Sequence, residues 1–427
     1  MKIIIDKPIS MCDEKIQVSF EGLPQSSIIT VTAESSDYYC INAPMATGIG
    51  TIWHSKGCYK SSACGTLNLT KDASFGGSYT GTHGMGLFYR MEPKKSKEEK
   101  LATNLSAIGV QKSYHIKLSV FFEDEKLEEI TIERKFQADN ITHQDINQEN
   151  LVARFFKDAK KRNQPAIIVL SGSDGRIEKA QNIAQLFASH GYASLAVCYF
   201  GLVGTAECLS QIPLEIIEKA IAFLKQQQEV NAQKIAVYGR SKGGELALLA
   251  GSEFPELSCV IANTPSSFIM EGLTAKNRNS KTSSWTYKKH DFPYIPFKIW
   301  DFIPFVLKKN FFNQQDLASP FSKIIHRKHA AKARIKIENI QGRILFLSSE
   351  QDEVWPSTLF CTQALTHLKK NNFLYPYRHK NYLHSGHLLT IAYQPIPRYT
   401  SQNWGKQLKD SIASWEETIL FLKQWAN

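Results

Sequence analysis

Short runs in which apolar and polar residues alternate dominate the first third of the chain. The clearest runs are residues 16–20, 28–33, 115–122 and 130–136. β-Branched and aromatic residues at a period of two, with Gly, Asn, Asp and Ser between the runs, are typical of antiparallel strands that bury one face. We therefore predict an all-β antiparallel sandwich domain over residues 1–140.

From about residue 150 onward the pattern changes to continuous apolar runs that alternate with stretches of helical period. Runs that suit parallel strands buried on both faces are 166–170, 194–198, 235–238, 260–262 and 344–347. Predicted helices are 176–190, 214–225 and 245–252. Alternation of strand and helix predicts a parallel sheet covered by helices, and we assign residues 141–427 to this α/β domain.

The chain between the predicted strands 260–262 and 344–347 is too long for an ordinary connection. It holds about eighty residues, and it is rich in aromatic residues from Trp285 to Phe312. Loops of this length inside a compact domain are uncommon unless they carry structure or function of their own. We therefore predict an insertion over residues 265–340 that lies above the C-terminal edge of the sheet.

The segment Gly239-Arg240-Ser241-Lys242-Gly243 fits the pattern G-x-S-x-G and lies between a predicted strand and a predicted helix. At such a sharp turn the glycines let the neighbouring chain approach closely, and the serine hydroxyl projects at the top of the sheet. Ser241 is therefore the candidate nucleophile. The backbone amide of Lys242, at the helix N-terminus, is a candidate donor to an oxyanion.

Candidates for the acid follow the serine in the chain order that is usual for this turn. Asp352 lies just past the predicted strand 344–347, where a loop carboxylate can reach a histidine. Asp352 is the preferred acid, and Glu350 and Glu353 are the alternatives.

A serine hydroxyl is a weak nucleophile at neutral pH and needs a base. His387, which follows Gly386 and comes after a last predicted strand near residues 373–375, is the preferred base, and His384 is its competitor. His326 and His329 are predicted to be surface groups.

These three side chains predict acyl transfer through a Ser–His–Asp triad. His387 would take the proton from Ser241 as the hydroxyl attacks an acyl carbonyl, and Asp352 would orient the imidazole. A second oxyanion donor is expected from the loop 171–175, with the amide of Ser173 as our choice. Asp174 is predicted to be a turn residue.

Composition and charge narrow the class of partner. The chain has 427 residues and a formal net charge of +11, which favours anionic partners. No RNA-binding or zinc-finger module is recognisable, so we predict no nucleic-acid partner. No run of about 18 apolar residues occurs, so we predict no membrane span.

The eight cysteines are scattered and form no CxxC pair. This spacing argues against a zinc site and predicts free thiols in a reducing compartment, with a Cys58–Cys64 bridge as the alternative. We expect neither a metal nor a cofactor. The first residues do not have the pattern of a secretory signal, so a cytoplasmic location is expected.

Several segments are similar to one known family over nearly the full length of the chain. They are residues 8–14, 18–23, 53–55, 77–81 and 84–91 in the first domain, and 190–193, the turn around Ser241, 351–352 and 386–388 in the second. The chain resembles the acyl-CoA thioesterase and bile-acid-CoA:amino-acid N-acyltransferase family. The resemblance implies an immunoglobulin-like N-terminal sandwich and a C-terminal α/β-hydrolase domain, with the insertion as a lid.

The resemblance also implies an acyl-CoA substrate. A serine nucleophile resembles the hydrolytic members of the family, whereas the amino-acid-conjugating members use cysteine. The implied reaction is cleavage of the thioester to free acid and CoA through an acyl-serine intermediate. This sequence departs from the family at residues 388–394, where an acidic and proline-rich run is usual, and in the loop 171–175.

Alternatives stay open at the level of sequence. A carboxylester or dienelactone-type hydrolase would share the triad without needing CoA contacts, and an N-acyltransferase would pass the acyl group to an amine. Basic residues of the insertion either pair with CoA phosphates or form a solvated face, and its aromatic residues either wall an acyl tunnel or pack on the sheet. A monomer and a dimer are both compatible with the sequence.

Overall fold

The computed structural model describes the chain except residues 46, 96–98, 275, 277, 313–315, 329 and 398–402. For residues 95, 304 and 308–312 it describes the backbone only. The predicted surface histidine His329 therefore lies outside the described residues. So do the side chains of Lys308, Lys309, Phe311 and Phe312 in the predicted insertion.

The described chain forms two compact units. The first comprises Met1–Leu101, Val110–Ala138 and Thr390–Ala413. The second comprises Ala102–Gly109, Asp139–Leu389 and Ser414–Asn427. Each unit therefore contains segments from distant parts of the chain.

The first unit consists mainly of strands. Its strands are β1 (Lys2–Ile5), β2 (Ile9–Met11), β3 (Val18–Glu21), β4 (Ile28–Ser35), β5 (Ile52–Lys60), β6 (Leu67–Asn68), β7 (Gly76–Gly77), β8 (Glu92–Lys95), β9 (Ser113–Phe122) and β10 (Glu125–Lys135). A single helical turn, α1 (Gly86–Tyr89), lies between β7 and β8.

These strands form two sheets. β1, β3 and β6 make one sheet, and the other has the order β2-β10-β9-β4-β5-β7, with β8 also paired to β5. In β4 the alternate residues Ile29, Val31 and Ala33 are buried, which is the period of two seen in the sequence. The prediction of purely antiparallel pairing is wrong at β2, which runs parallel to β10. The immunoglobulin-like form of this unit stays a prediction.

The second unit is built around one large sheet. The strands from residue 139 onward are β11 (Ile141–Gln148), β12 (Leu151–Asp158), β13 (Gln164–Leu170), β14 (Ala193–Cys198), β15 (Ile212–Pro213), β16 (Val230–Arg240), β17 (Leu257–Asn263), β18 (Glu271–Leu273), β19 (Asn279–Ser283), β20 (Trp285–Tyr287), β21 (His290–Asp291), β22 (Arg343–Ser349) and β23 (Tyr377–Tyr382). The order in the large sheet is β11-β12-β14-β13-β16-β17-β22-β23. β12 runs antiparallel to β11 and β14, and the other neighbours are parallel.

Helices follow the strands of this sheet. They are α2 (Ile177–Ser189), α3 (Glu215–Lys225), α4 (Lys242–Glu253), α5 (Ile299–Phe312), α6 (Ala318–Ile324), α7 (Ala330–Ala333), α8 (Ser357–Lys370) and α9 (Trp404–Ala426). α9 is divided between the two units after Ala413.

Both faces of the large sheet are covered, as the continuous apolar strands predict. Val237 on β16 packs in the same core as Leu246 on α4. The next residue, Tyr238, points to the opposite face, where its ring lies 5.4 Å from that of Phe187 on α2. Phe187 in turn stacks at 5.4 Å on Trp415 of α9. The predicted α/β architecture is therefore present.

Several elements differ from those predicted. β11 and β12 precede the predicted strand 166–170 and were not predicted. β11 is a polar edge strand whose only buried residues are Ile141 and Ile146, so its own sequence pattern does not indicate a strand. The last strand is Tyr377–Tyr382 rather than the segment 373–375. α8 and α9 were not predicted.

The predicted insertion contains β18 to β21 and α5 to α7. It has an apolar core of its own, in which Phe268, Phe321 and Ile324 pack with Trp355 and Phe360 from the segment after β22. The role of this segment as a lid stays a prediction.

One buried cation ties the edge of the large sheet together. The Arg154 guanidinium on β12 donates to Asp145 Oδ1 at 2.6 Å, to Gln181 Oε1 at 2.5 Å and to the carbonyl oxygen of Ile108 at 2.9 Å. These bonds join β11, α2 and the segment Ala102–Gly109 to β12. This guanidinium is costly to remove, because Gln181 and the carbonyl oxygen of Ile108 stay buried without it, whereas the exposed Asp145 carboxylate can turn to water.

We predict that Arg154→Met lowers the free energy of unfolding by about 2–4 kcal/mol, because two buried acceptors, Gln181 Oε1 and the carbonyl oxygen of Ile108, lose a charged donor. Thermal and urea unfolding of the full chain measure the change. Arg162→Met is the matched control, since the Arg162 side chain is 58% exposed, and it should change stability by less than about 0.5 kcal/mol. Equal melting temperatures for the two variants would contradict the role given to Arg154.

Candidate active site

Ser241 occupies a strained turn between β16 and α4. Its φ is 57° and its ψ is −120°, a conformation that non-glycine residues rarely adopt. The turn is held from the neighbouring strand, because the Ser241 amide donates to the carbonyl oxygen of Asn263 at 2.8 Å. This is the geometry of a nucleophile elbow, which exposes a serine hydroxyl at the C-terminal edge of a sheet.

Two glycines make this turn possible by their lack of a side chain. A Cβ on Gly239 would collide with the carbonyl of Gly243, and a Cβ on Gly243 would collide with the carbonyl of Ser171. The close packing of β16, α4 and the loop after β13 therefore requires glycine at both positions. The G-x-S-x-G pattern predicted this close approach of the chain at both glycines.

Ser241, His387 and Asp352 are connected by hydrogen bonds. The Nε2 atom of His387 lies 2.7 Å from Ser241 Oγ, and its Nδ1 atom lies 2.9 Å and 3.0 Å from the two carboxylate oxygens of Asp352. The arrangement fits a neutral imidazole that donates from Nδ1 to the carboxylate and accepts the serine proton at Nε2. Ser241 is half-buried, whereas His387 and Asp352 are buried.

The carboxylate of Asp352 is fixed by its own loop. Its Oδ1 atom accepts hydrogen bonds from the amides of Val354 at 3.0 Å and Trp355 at 3.2 Å. The indole nitrogen of Trp355 donates to the carbonyl oxygen of Thr264 at 2.8 Å. The acid loop is thereby attached to the end of β17.

The histidine loop is attached to the same strand end. Thr264 Oγ1 donates to the carbonyl oxygen of His387 at 3.1 Å, and Asn263 Nδ2 donates to that of Leu389 at 2.7 Å. The His387 amide donates to Glu353 Oε2 at 3.1 Å. Two consecutive polar residues, Asn263 and Thr264, thus position both partners of Ser241.

The competing candidates lie elsewhere. Glu350 accepts a hydrogen bond from Asn381 Nδ2 at 2.5 Å and is exposed. Glu353 bonds the backbone of His387 and not its ring. The imidazole at Ser241 Oγ is that of His387, whereas His384 is half-buried and His326 is exposed.

The two predicted oxyanion donors flank Ser241. Lys242 is the first residue of α4, so its amide has no acceptor within the helix. Ser173 lines the same cavity as Ser241 and Lys242. The Ser173 loop is braced by Tyr199, whose hydroxyl donates to the carbonyl oxygens of Ser171 and Gly172. Asp174 forms an ion pair with Lys179 at 3.3 Å, as expected of a turn residue.

A cavity of about 390 Å³ adjoins the Ser241 hydroxyl. Its walls are mostly apolar and come from the insertion and the acid loop. The lining residues are Ser173, Leu209, Ser241, Lys242, Met270, Glu271, Leu273, Asn279, Phe297, Phe302, Leu317, Phe321, Val354 and Trp355. The aromatic residues of the insertion therefore divide between two roles, because Phe297 lines this cavity whereas Trp285 packs in the core under the sheet.

A buried ion pair lies next to Ser241 in the chain. Lys242 Nζ is 2.6 Å from Glu245 Oε1, and both side chains are almost fully buried. Glu245 Oε1 also accepts from the indole nitrogen of Trp285 at 2.8 Å and from the amide of Met270 at 3.3 Å. Burial raises the pKa of Glu245 and lowers the pKa of Lys242, because each charged form loses hydration, and the mutual attraction of the two charges opposes both shifts.

Sequence analysis missed five residues of this site. Asn263, Thr264 and Tyr199 had a usable signal, since each is a polar side chain at or directly after the end of a buried parallel strand. Glu245 and Trp285 are forty residues apart and belong to elements that meet only in the folded chain. No local pattern could have paired them.

Other predicted features have no place in this site. Lys276, Arg278, Lys281, Lys288 and Lys289 are exposed, in keeping with either of the roles left open for them. None of the eight cysteines, all of which belong to the described residues, forms a disulfide. Among the described residues, no group of three or more His, Cys, Asp or Glu side chains could hold a metal ion. Within the same part of the chain, no helix combines the length and apolar character needed to cross a membrane.

Comparison with known proteins places both parts of the chain in one family. Residues 13–148 match the family model described as the acyl-CoA thioester hydrolase/BAAT N-terminal region. Residues 212–427 match the model described as BAAT/acyl-CoA thioester hydrolase C terminal.

The relatives include transferases and thioesterases at similar distance. Bile acid-CoA:amino acid N-acyltransferase of Mus musculus is 25% identical over 448 residues, which cover 98% of this chain and 96% of the relative. Acyl-coenzyme A thioesterase 6 of Mus musculus is 25% identical over 438 residues, which cover 98% and 95%. Acyl-coenzyme A amino acid N-acyltransferase 1 of Mus musculus is 24% identical over 406 residues, which cover 93% and 88%.

Similar solved structures include hydrolases of the α/β type. MGS-M1, an α/β hydrolase from a deep-sea metagenome library, matches with a TM-score of 0.41 and 15% identity, covering 68% of this chain and 99% of that one. An esterase of Pyrobaculum calidifontis matches with a TM-score of 0.42 and 14% identity, covering 67% and 86%.

We predict that Lys242→Met lowers the free energy of unfolding by about 3–5 kcal/mol, because it leaves the Glu245 carboxylate buried without a counter-charge. The double variant Lys242→Met/Glu245→Gln should recover most of this loss, since the neutral amide can still accept from Trp285. Thermal unfolding of both variants and the parent chain measures the difference. A double variant as unstable as the single one would show that the loss does not come from the unpaired charge.

Proposed function

We propose that this chain, which belongs to the family of acyl-CoA thioester hydrolases and bile acid-CoA:amino acid N-acyltransferases, is a serine-dependent hydrolase of the acyl-CoA thioester bond. The single observation that carries the proposal is the hydrogen-bonded series Ser241–His387–Asp352 at the wall of an apolar cavity. The products are the free acid and CoA.

The first half of the reaction forms an acyl-enzyme. Ser241 Oγ attacks the thioester carbonyl carbon while its proton passes to His387 Nε2, and Asp352 stabilises the resulting imidazolium. The carbonyl oxygen becomes an oxyanion, which the amides of Lys242 and Ser173 stabilise by about 3 kcal/mol each. The carbon–sulfur bond then breaks, and the CoA thiolate takes the proton from His387.

The second half consumes one water molecule. His387 Nε2 accepts a proton from the water as its oxygen attacks the carbonyl carbon of the acyl-serine. The second tetrahedral intermediate uses the same two amides. When it collapses, Ser241 Oγ leaves and regains a proton from His387, and the free acid is released.

The cavity supports an apolar acyl group. Phe297, Phe302, Phe321 and Trp355 supply aromatic walls next to Ser241. An acyl chain gains free energy from burial against such walls, roughly 0.8 kcal/mol per methylene group. The basic surface of the insertion supports the CoA part of the substrate, because coenzyme A is anionic.

Water as the acceptor is supported by the identity of the nucleophile. The resemblance described above associates serine with the hydrolytic members of the family and cysteine with those that conjugate amino acids. The relatives include both activities at about 25% identity, so overall similarity favours neither.

A hydrolysis assay across short, medium, long and branched acyl-CoAs tests the proposal. We expect Ser241→Ala to lose activity by several orders of magnitude, because no other group replaces the nucleophile. The parent chain should release free acid without an added acceptor, and it should prefer an acyl-CoA to a p-nitrophenyl ester of the same chain length. Product formation that requires glycine or taurine would identify a transferase, and a preference for the ester would identify a carboxylesterase.

The acid and the base are tested against their nearest competitors. We expect Asp352→Asn to reduce kcat by about 10⁴-fold, because the amide favours the wrong imidazole tautomer. Glu350→Gln is the matched control and should retain activity, since Glu350 contacts Asn381 and not the histidine. In the same assay His387→Ala should be inactive and His384→Ala active. The opposite ranking in either pair would overturn the assignment.

A further inference from the structure

Helix α5 exposes an apolar face to solvent. Ile299 and Trp300 are 74% and 75% exposed, and Ile303, Val306 and Leu307 are between 38% and 49% exposed. At 3.6 residues per turn these five positions fall within an arc of about 120°. A continuous apolar stripe of this size on a surface helix is a mark of an interaction site.

The opposite side of the helix is anchored to the protein. The Phe302 ring lies 5.7 Å from the rings of both Phe297 and Phe321, and Phe302 lines the cavity beside Ser241. Asp301 forms an ion pair with Arg327. The helix therefore packs on the protein through residues outside the exposed stripe, and the stripe itself faces solvent.

The segment that carries the helix is strongly basic. Residues 265–340 contain fourteen Lys and Arg residues against five Asp and Glu residues, a net charge of +9 out of +11 for the whole chain. Lys298, directly before the helix, is exposed, as are Lys288 and Lys289. An apolar helix face within a basic surface has the combination of features that binds anionic lipid.

We propose that the exposed face of α5 docks on an anionic lipid bilayer. Ile299, Trp300, Ile303, Val306 and Leu307 insert among the headgroups and upper acyl chains, while the basic residues of the insertion remain in the aqueous layer near lipid phosphates. Trp300 suits this position, because an indole has a large apolar surface and a polar nitrogen.

The charge of the insertion argues for lipid rather than a second copy of the chain. A symmetric dimer through α5 would bring two copies of the segment 265–340 together, each with a net charge of +9, and like charges oppose such an association. An anionic bilayer instead attracts this positive charge and buries the apolar stripe. If the proposed function holds, α5 lies between the lipid surface and the acyl cavity, because its exposed stripe faces the lipid and its residue Phe302 lines the cavity.

Co-sedimentation with vesicles tests the proposal on the full chain. We expect binding to phosphatidylcholine vesicles that contain phosphatidylserine and weak binding to phosphatidylcholine alone. High salt should weaken binding to the phosphatidylserine vesicles and leave the weak binding to phosphatidylcholine unchanged. Trp300→Ser/Ile303→Ser should reduce the affinity at least about tenfold, because two exposed apolar side chains no longer insert.

The controls separate the possible outcomes. Leu374→Ser removes a side chain that is 90% exposed outside α5 and should bind like the parent. Ser241→Ala should also bind like the parent, so loss of catalysis and loss of binding are distinguishable. Absence of vesicle binding, or equal binding by the Trp300→Ser/Ile303→Ser variant at an unchanged melting temperature, overturns the proposal. A dimer in light scattering that this variant abolishes would assign the face to a second copy.

Discussion

The candidate active site depends on one steric constraint, the close approach of three backbones at Ser241. The loop after β13 and the first turn of α4 meet where β16 ends, and Gly239 and Gly243 leave no space for a Cβ between them. This contact forces Ser241 into its left-handed conformation and presents its hydroxyl at the edge of the sheet. Ser173 and Lys242 line the same cavity as Ser241.

The other side chains of the site are held from the end of a neighbouring strand. Asn263 ends β17 and Thr264 follows it. They bond the backbone of Ser241, the backbone of the segment around His387 and the indole of Trp355 in the Asp352 loop. Because β17 lies next to β16 in the sheet, these bonds fix the imidazole of His387 relative to Ser241, although the two residues are far apart in the chain. The rigid sheet thus does the positioning, and the loops carry the chemistry.

The insertion connects this chemistry to the surroundings of the protein. Its inner residues, among them Phe297 and Phe302, form walls of the cavity, and its outer residues form the apolar and basic surface of α5. The buried pair Lys242–Glu245 joins the elbow to Trp285 and Met270 of the same segment. We therefore expect a structural change at Trp285 or Met270 to be transmitted to the turn at Ser241 through the Lys242–Glu245 pair.

The sequence by itself determined the strand-helix alternation around residues 166–263, the serine turn, and the order of acid and histidine behind it. These features are local, because each depends on residues a few positions apart whose spacing fits one backbone geometry. The folded structure alone decided that Asp352 rather than Glu350 faces His387, that Asn263 and Thr264 position both, and that Glu245 meets Trp285. Polar strands such as β11 also became visible only there, since their pairing with a neighbour, and not their own pattern, holds them in the sheet. Contacts between distant segments depend on how whole elements pack, and no short stretch of sequence contains that information.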